Sequence, residues 1–179
     1  MKMLNKDEIL HWSEKYDLEE DLYNQGEEIE LGNKFRKNGY VSKIDLEEIV
    51  KWKFQNSLIG RRNRILKFIR TEENTNIKKI TKNCFSIDDD YIKISLLNSI
   101  NGIGNSLSSV ILTFHNPQNY GILDIHSWRA LFGKEPTDIF SNKRKLIMFF
   151  DKIRDIGKRN NLECRIVEKA IFKMDLDKK

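Results

Sequence analysis

Apolar side chains recur along this chain at intervals of three and four residues, the spacing of a helix with one buried face, and no segment alternates strictly as a half-buried strand would. Asn5 is placed to cap a first helix running through Tyr16. A second helical stretch runs from about Asp17 toward Asn38, interrupted near Gly26, with Gly39 suited to a C-terminal cap. Ser42-Lys43-Ile44-Asp45 resembles a capping box, and Leu46, Ile49, Val50 and Phe54 then fall on one face. Leu58, Arg62, Ile65, Leu66 and Ile69 repeat the pattern and leave Arg61 and Arg64 to project elsewhere. Further helices are expected at 76–84 and 88–99, the latter opened by Asp88-Asp89-Asp90, whose charge favours a helix N-terminus. Three more follow at 127–132, 142–158 and 162–174. The pattern predicts an all-α fold in one domain spanning 1–179: two helical lobes with an interlobe cleft, and an acidic helical segment over 1–38.

Composition sets the bounds. A chain of 179 residues with 39% hydrophobic side chains can bury one sizeable core or two small lobes, and 33% charged residues describe a well-solvated surface. The apolar runs, such as Leu146-Ile147-Met148-Phe149-Phe150, are too short for a membrane span, and the acidic start is unlike a secretory signal, so a cytoplasmic, membrane-free monomer is expected. Cys84 and Cys164 are the only cysteines and read as small buried hydrophobes; no iron–sulfur or zinc cofactor is expected from two thiols. The net charge of +5 is unevenly spread. Asp17, Glu19, Glu20, Asp21, Glu27, Glu28 and Glu30 make the beginning acidic, whereas Lys51, Lys53, Arg61, Arg62, Arg64, Lys67, Arg70, Lys78, Lys79 and Lys82 crowd the middle. A polyanion would meet the middle of the chain.

The chemistry concentrates in about 90–114 and the residues just after it. One helix ends near Ser99, a tight turn holds Gly102 and Gly104 around an inward Ile103, and a second helix carries Leu107, Val110, Ile111 and Phe114 inward. Glycine permits the positive φ of such a turn and lets a phosphate approach the backbone. The amides of Gly104, Asn105 and Ser106 would then face that phosphate at a helix N-terminus. Asp124 follows, an acid between apolar neighbours where the chain enters another helix. It reads either as an N-cap or as a carboxylate kept ionised by the helix terminus; the latter suits cleavage of an N-glycosidic bond, where positive charge develops on the sugar.

Ile100-Asn101-Gly102-Ile103-Gly104 resembles the Leu-Pro-Gly-Val-Gly hairpin of the helix-hairpin-helix DNA glycosylases, the superfamily of endonuclease III, the mispair adenine glycosylase and the oxoguanine and alkyladenine enzymes. Asp124-Ile125-His126-Ser127-Trp128-Arg129 resembles that family's Asp-Thr-His-x-x-Arg segment. The two motifs keep the family's register, with Ser106 standing 18 residues before Asp124 where lyase members carry a lysine. The clear resemblance spans about Leu96 to Phe132.

The resemblance implies a protein of base-excision repair that binds double-stranded DNA and flips a damaged or modified base into the cleft. It implies Asp124 as the catalytic carboxylate, Gly102, Ile103, Gly104, Asn105 and Ser106 as the DNA-binding hairpin, and His126 and Arg129 as supporting or phosphate-contacting residues. Ser106 implies a monofunctional glycosylase that uses water rather than a Schiff base. Trp52 and Lys53 are candidate pocket residues, and the carbonyls of Asn98, Ile100 and Ile103 are where family members hold an alkali cation. Trp128 and Phe54 are further pocket candidates that read equally as core, and Arg61, Arg62 and Arg64 read either as a solvated face or as basic residues that clamp the backbone. The alternative is a catalytically silent DNA-binding module built on the same hairpin.

Overall fold

The structure is a computed structural model that describes residues 4–19, 25–55, 59–133 and 137–178. The described residues form ten helices and no strand: α1 (Lys6–Glu19), α2 (Gln25–Asn38), α3 (Lys43–Lys53), α4 (Ile59–Thr71), α5 (Asn74–Phe85), α6 (Asp90–Leu97), α7 (Asn105–His115), α8 (Ile125–Phe132), α9 (Lys143–Asn160) and α10 (Cys164–Leu176). The fold is therefore all-α. None of the described helices is long and apolar enough to cross a membrane.

Local chemistry sets the helix ends. Asn5 Oδ1 accepts from Glu8 N at 2.9 Å while Glu8 Oε2 accepts from Asn5 N at 3.1 Å, a reciprocal cap that starts α1. Ser42 and Asp45 make the same exchange at the start of α3. Asp89 caps α6 through Ile92 N, and Gly39, with φ +70, closes α2 in the left-handed region. The first helix continues past Tyr16 to Glu19; Glu20, Asp21, Leu58 and Pro136 lie outside the described residues.

Helix α7 organises the core. Every residue from Asn105 to Phe114 is buried, and the helix packs against α2, α3, α6 and α9. Two of its hydroxyls are satisfied within the helix: Ser109 Oγ donates to Ser106 O and Thr113 Oγ1 to Ser109 O, each at 2.7 Å. Arg36 on α2 donates to the carbonyls of Phe114 and His115 at 2.7 and 3.2 Å, placing a cation at the helix C-terminus, where the helix dipole favours it. The second organiser is α10, which packs against α1, α8 and α9. Its Arg165 is 4% exposed and grips Glu28 of α2 through two bonds of 2.8 and 2.7 Å, with Glu168 on its other side. Burial alone would raise the Glu28 carboxyl, but the guanidinium outweighs it and holds the group below the usual carboxylate range. Cys84 and Cys164 are buried free thiols.

Candidate functional site

The hairpin is built by α6, a turn and α7. Backbone bonds from Ser99 N to Leu96 O, Ile100 N to Leu97 O and Ile103 N to Ile100 O, at 3.0 to 3.1 Å, wind the chain through the turn. Gly102 has φ +88, and a Cβ there would stand 3.2 Å from Phe68 Cβ and 3.3 Å from Ile65 O, so the turn needs glycine for conformation and for its close seat on α4. Ile100 and Ile103 are buried, pinning the turn from inside. Gly104 is exposed and caps α7 without a side chain; the first bond of the helix runs from Ser108 N to Gly104 O at 2.9 Å, which leaves the amides ahead of it as its terminal donors.

Side chains lock the two hairpin helices together. Asn98 Nδ2 donates to Asn105 Oδ1 at 3.0 Å, Ser108 Oγ donates to Asn98 Oδ1 at 2.7 Å, and Asn105 Nδ2 donates to Ile139 O at 3.0 Å. The Asn105 side chain therefore turns inward, and the whole residue is buried, so the expectation that its amide faces a phosphate is not met; at this end of the turn it is Gly104 that is exposed. Asn101, standing where proline is common, donates both its backbone N–H and its side-chain amide to Glu72 Oε1. Proline lacks the first of these donors. Of the three carbonyls that the resemblance offers to an alkali cation, those of Asn98, Ile100 and Ile103, the middle one accepts from Ile103 N–H and keeps a second lone pair.

Asp124 is the N-cap of α8, with Oδ1 accepting from His126 N at 3.0 Å. Ser109 Oγ of the hairpin's second helix receives Leu123 N at 2.9 Å, so α7 fixes the approach of the chain to this acid. The cap is not sealed: the Asp124 side chain is 29% exposed, and its second oxygen, Oδ2, lies 3.8 Å from Lys53 Nζ. Lys53 ends α3 and is itself only 15% exposed. Trp52, beside it, is buried in the core and meets Phe114 edge-on with ring centroids 4.9 Å apart. Ser106 is buried at 7% exposure near the start of α7.

His126 and Arg129 turn away from Asp124 toward α10. His126 Nδ1 lies 3.0 Å from Asp175 Oδ2, and Arg129 holds the same carboxylate through Nε at 3.0 Å and Nη2 at 2.6 Å. Burial pushes the Asp175 carboxyl up, yet the bonds from Arg129 and His126 prevail and leave it below its ordinary value. Ser127 Oγ donates to Glu168 Oε1 at 3.1 Å. Asp175 and Glu168, which the sequence did not single out, thus anchor the helix that carries Asp124. Their only signal was acids within the apolar stripe of the last helix.

Basic residues surround the hairpin. Arg61 and Arg64 of α4 are exposed, with Arg61 5.1 Å from the Phe54 ring and 5.9 Å from that of Phe140, whose carbonyl is 3.6 Å from a Cβ built on Gly104. Lys143 and Arg144 open α9 and line a surface cavity of about 570 Å³ with Tyr91, Ser141 and Asn142. Comparisons with known protein families, with curated proteins and with solved structures find no match for the chain.

Proposed function

We propose that the protein is a DNA N-glycosylase that removes a damaged or modified base by hydrolysis. The observation that carries this reading is a partly exposed carboxylate, Asp124, held at a helix N-terminus by the second helix of a glycine hairpin. The hairpin-to-acid register that resembles the helix-hairpin-helix glycosylases supports it, as do the cations around the hairpin.

In this reading the exposed turn at Gly104, at the start of α7, meets a phosphate, the duplex bends, and the base swings into a cleft beside Asp124 at a cost of about a few kcal/mol. The base departs with the electron pair of the N-glycosidic bond. Asp124 stabilises the positive charge left on the sugar, and Oδ2, the oxygen outside the helix cap, orients the water that adds to C1′ and receives the proton released. Ser106 supplies no amine, so base release itself proceeds through water.

Asp124→Asn provides the test, because asparagine caps helices as well as aspartate does and keeps the fold. Base release from duplexes carrying a panel of lesions, read as strand breaks after alkali, is expected to fall by about 100-fold or more. Undiminished release in the variant would sink the role of Asp124. Salt-dependent DNA binding with no release from any lesion would leave the silent binding module.

A further inference from the structure

We propose that Lys53 confers a second activity, cleavage of the DNA strand at an abasic site through an imine formed on its Nζ; the inference rests on the proposed reading of Asp124. The hairpin position that could have held an amine is Ser106, but the fold brings another one in from α3. Lys53 Nζ stands 3.8 Å from Asp124 Oδ2, the oxygen that the helix cap leaves unused. Its side chain is 15% exposed, more enclosed than a surface lysine, and it approaches the carboxylate from a helix distant in sequence. Lys51, on the same helix, instead lines a surface cavity with Glu27, Glu30, Lys34 and Glu48. An amine and a carboxylate at this separation are what condensation with an aldehyde needs: one group to form the bond and one to handle the protons.

The substrate is the ring-opened abasic sugar, whose C1′ is an aldehyde. Asp124 takes the proton that Lys53 sheds, and the free amine adds to C1′, forming the C–N bond. Loss of water from that adduct gives the iminium. Asp124, its proton given to the departing water, takes a C2′ hydrogen as a proton, and the C–H electron pair forms the C2′–C3′ double bond while the C3′–O bond breaks and the phosphate oxygen leaves with that bond's pair. Water then hydrolyses the imine, returning the amine and releasing a 3′ unsaturated aldehyde. No oxidant or reductant is consumed.

The test uses the full chain and two duplexes, one carrying a preformed abasic site and one carrying a base lesion. With the abasic duplex, borohydride is expected to trap a covalent protein–DNA adduct, and peptide mapping by mass spectrometry is expected to place it on Lys53. Strand cleavage without alkali is expected to be lost in Lys53→Arg, which keeps a cation near Asp124 but offers no comparable nucleophile, and kept in Lys51→Gln. Thermal unfolding of each variant identifies any loss of fold, and mapping of the unsubstituted protein needs no variant. An adduct on any other lysine, or no adduct at all, overturns the proposal. Base release from the lesion duplex is scored separately after alkali, so failure of the glycosylase reading and failure of the Lys53 proposal give different patterns.

Discussion

Single residues decide how closely the helices approach. A Cβ on Gly32 would come within 2.5 Å of Phe114 O, backbone that cannot swing aside, whereas one on Gly26 meets nothing within 4 Å. Gly32→Ala is expected to lower stability by about 1–3 kcal/mol through forced separation of α2 and α7. Gly26→Ala is expected to raise it by up to about 1 kcal/mol by restricting the unfolded chain and favouring the helix. Urea midpoints of the two variants check both; similar shifts of the same sign would show that the close approach is not what holds Gly32. The sequence reads Gly26 as an interruption, whereas the structure places it inside α2, and it cannot single out Gly32, whose decisive neighbour is about eighty positions away. Gly39 and Gly102 were legible because the need for positive φ is local, and both adopt it. Asn101 was legible only as a departure from proline; its bonds to Glu72 depend on where α4 ends.

At the scale of the helix, periodicity identified which segments fold but only approximately which faces they bury. For the last helix it selected Leu162, Ile166, Val167, Ala170, Ile171 and Met174, whereas the buried set of α10 includes Arg165, Glu168, Lys173 and Asp175. Those charges are buried because partners on other helices meet them, and a hydrophobic pattern carries no information about partners. Asp175 shows the consequence. Its carboxyl is lowered on folding, so the stability it contributes is fully present above the ordinary carboxylate value of about 4 and is lost as pH falls through the lower folded value. Asp175→Asn is therefore expected to destabilise the protein at neutral pH and to narrow the gap from the unsubstituted protein as the solution is taken below about pH 4. Asp175→Ala leaves Arg129 and His126 facing an empty position and is expected to cost about 1–3 kcal/mol, short of a fully buried pair because both partners retain solvent contact. Denaturant titrations across pH check both, and a pH-independent gap would remove the ionised pair from the account.

Over the whole molecule, the all-helical class and the hairpin were readable because both depend on local spacing, while the grouping of Asp124, Lys53 and the anchoring acids depends on α3, α8 and α10 meeting in space. Folding mixes the charge division that the sequence suggests: Asp17, Glu19 and Glu28 pair with Lys169, Lys173 and Arg165 of α10, and Lys51 lines one cavity with Glu27 and Glu30. Arg61 and Arg64 stand on α4, which also seats Gly102, while Glu27 and Glu30 lie on α2 beside Lys34 and Glu48. On the proposed reading, duplex DNA lies across the hairpin and α4, and its backbone is held by charges that carry no sequence information. Each cation neutralising a phosphate contributes about 0.9 to the slope of log affinity against log salt. Arg61→Ala with Arg64→Ala is then expected to flatten that slope by about 2 and to weaken lesion-bearing and plain duplexes alike. Glu27→Gln with Glu30→Gln, on α2, is expected to leave the slope as it is. Fluorescence anisotropy over a salt series measures both pairs. An unchanged slope in the arginine pair would move the DNA off α4, and a loss confined to lesion-bearing duplex would make those arginines readers of the lesion rather than holders of the backbone.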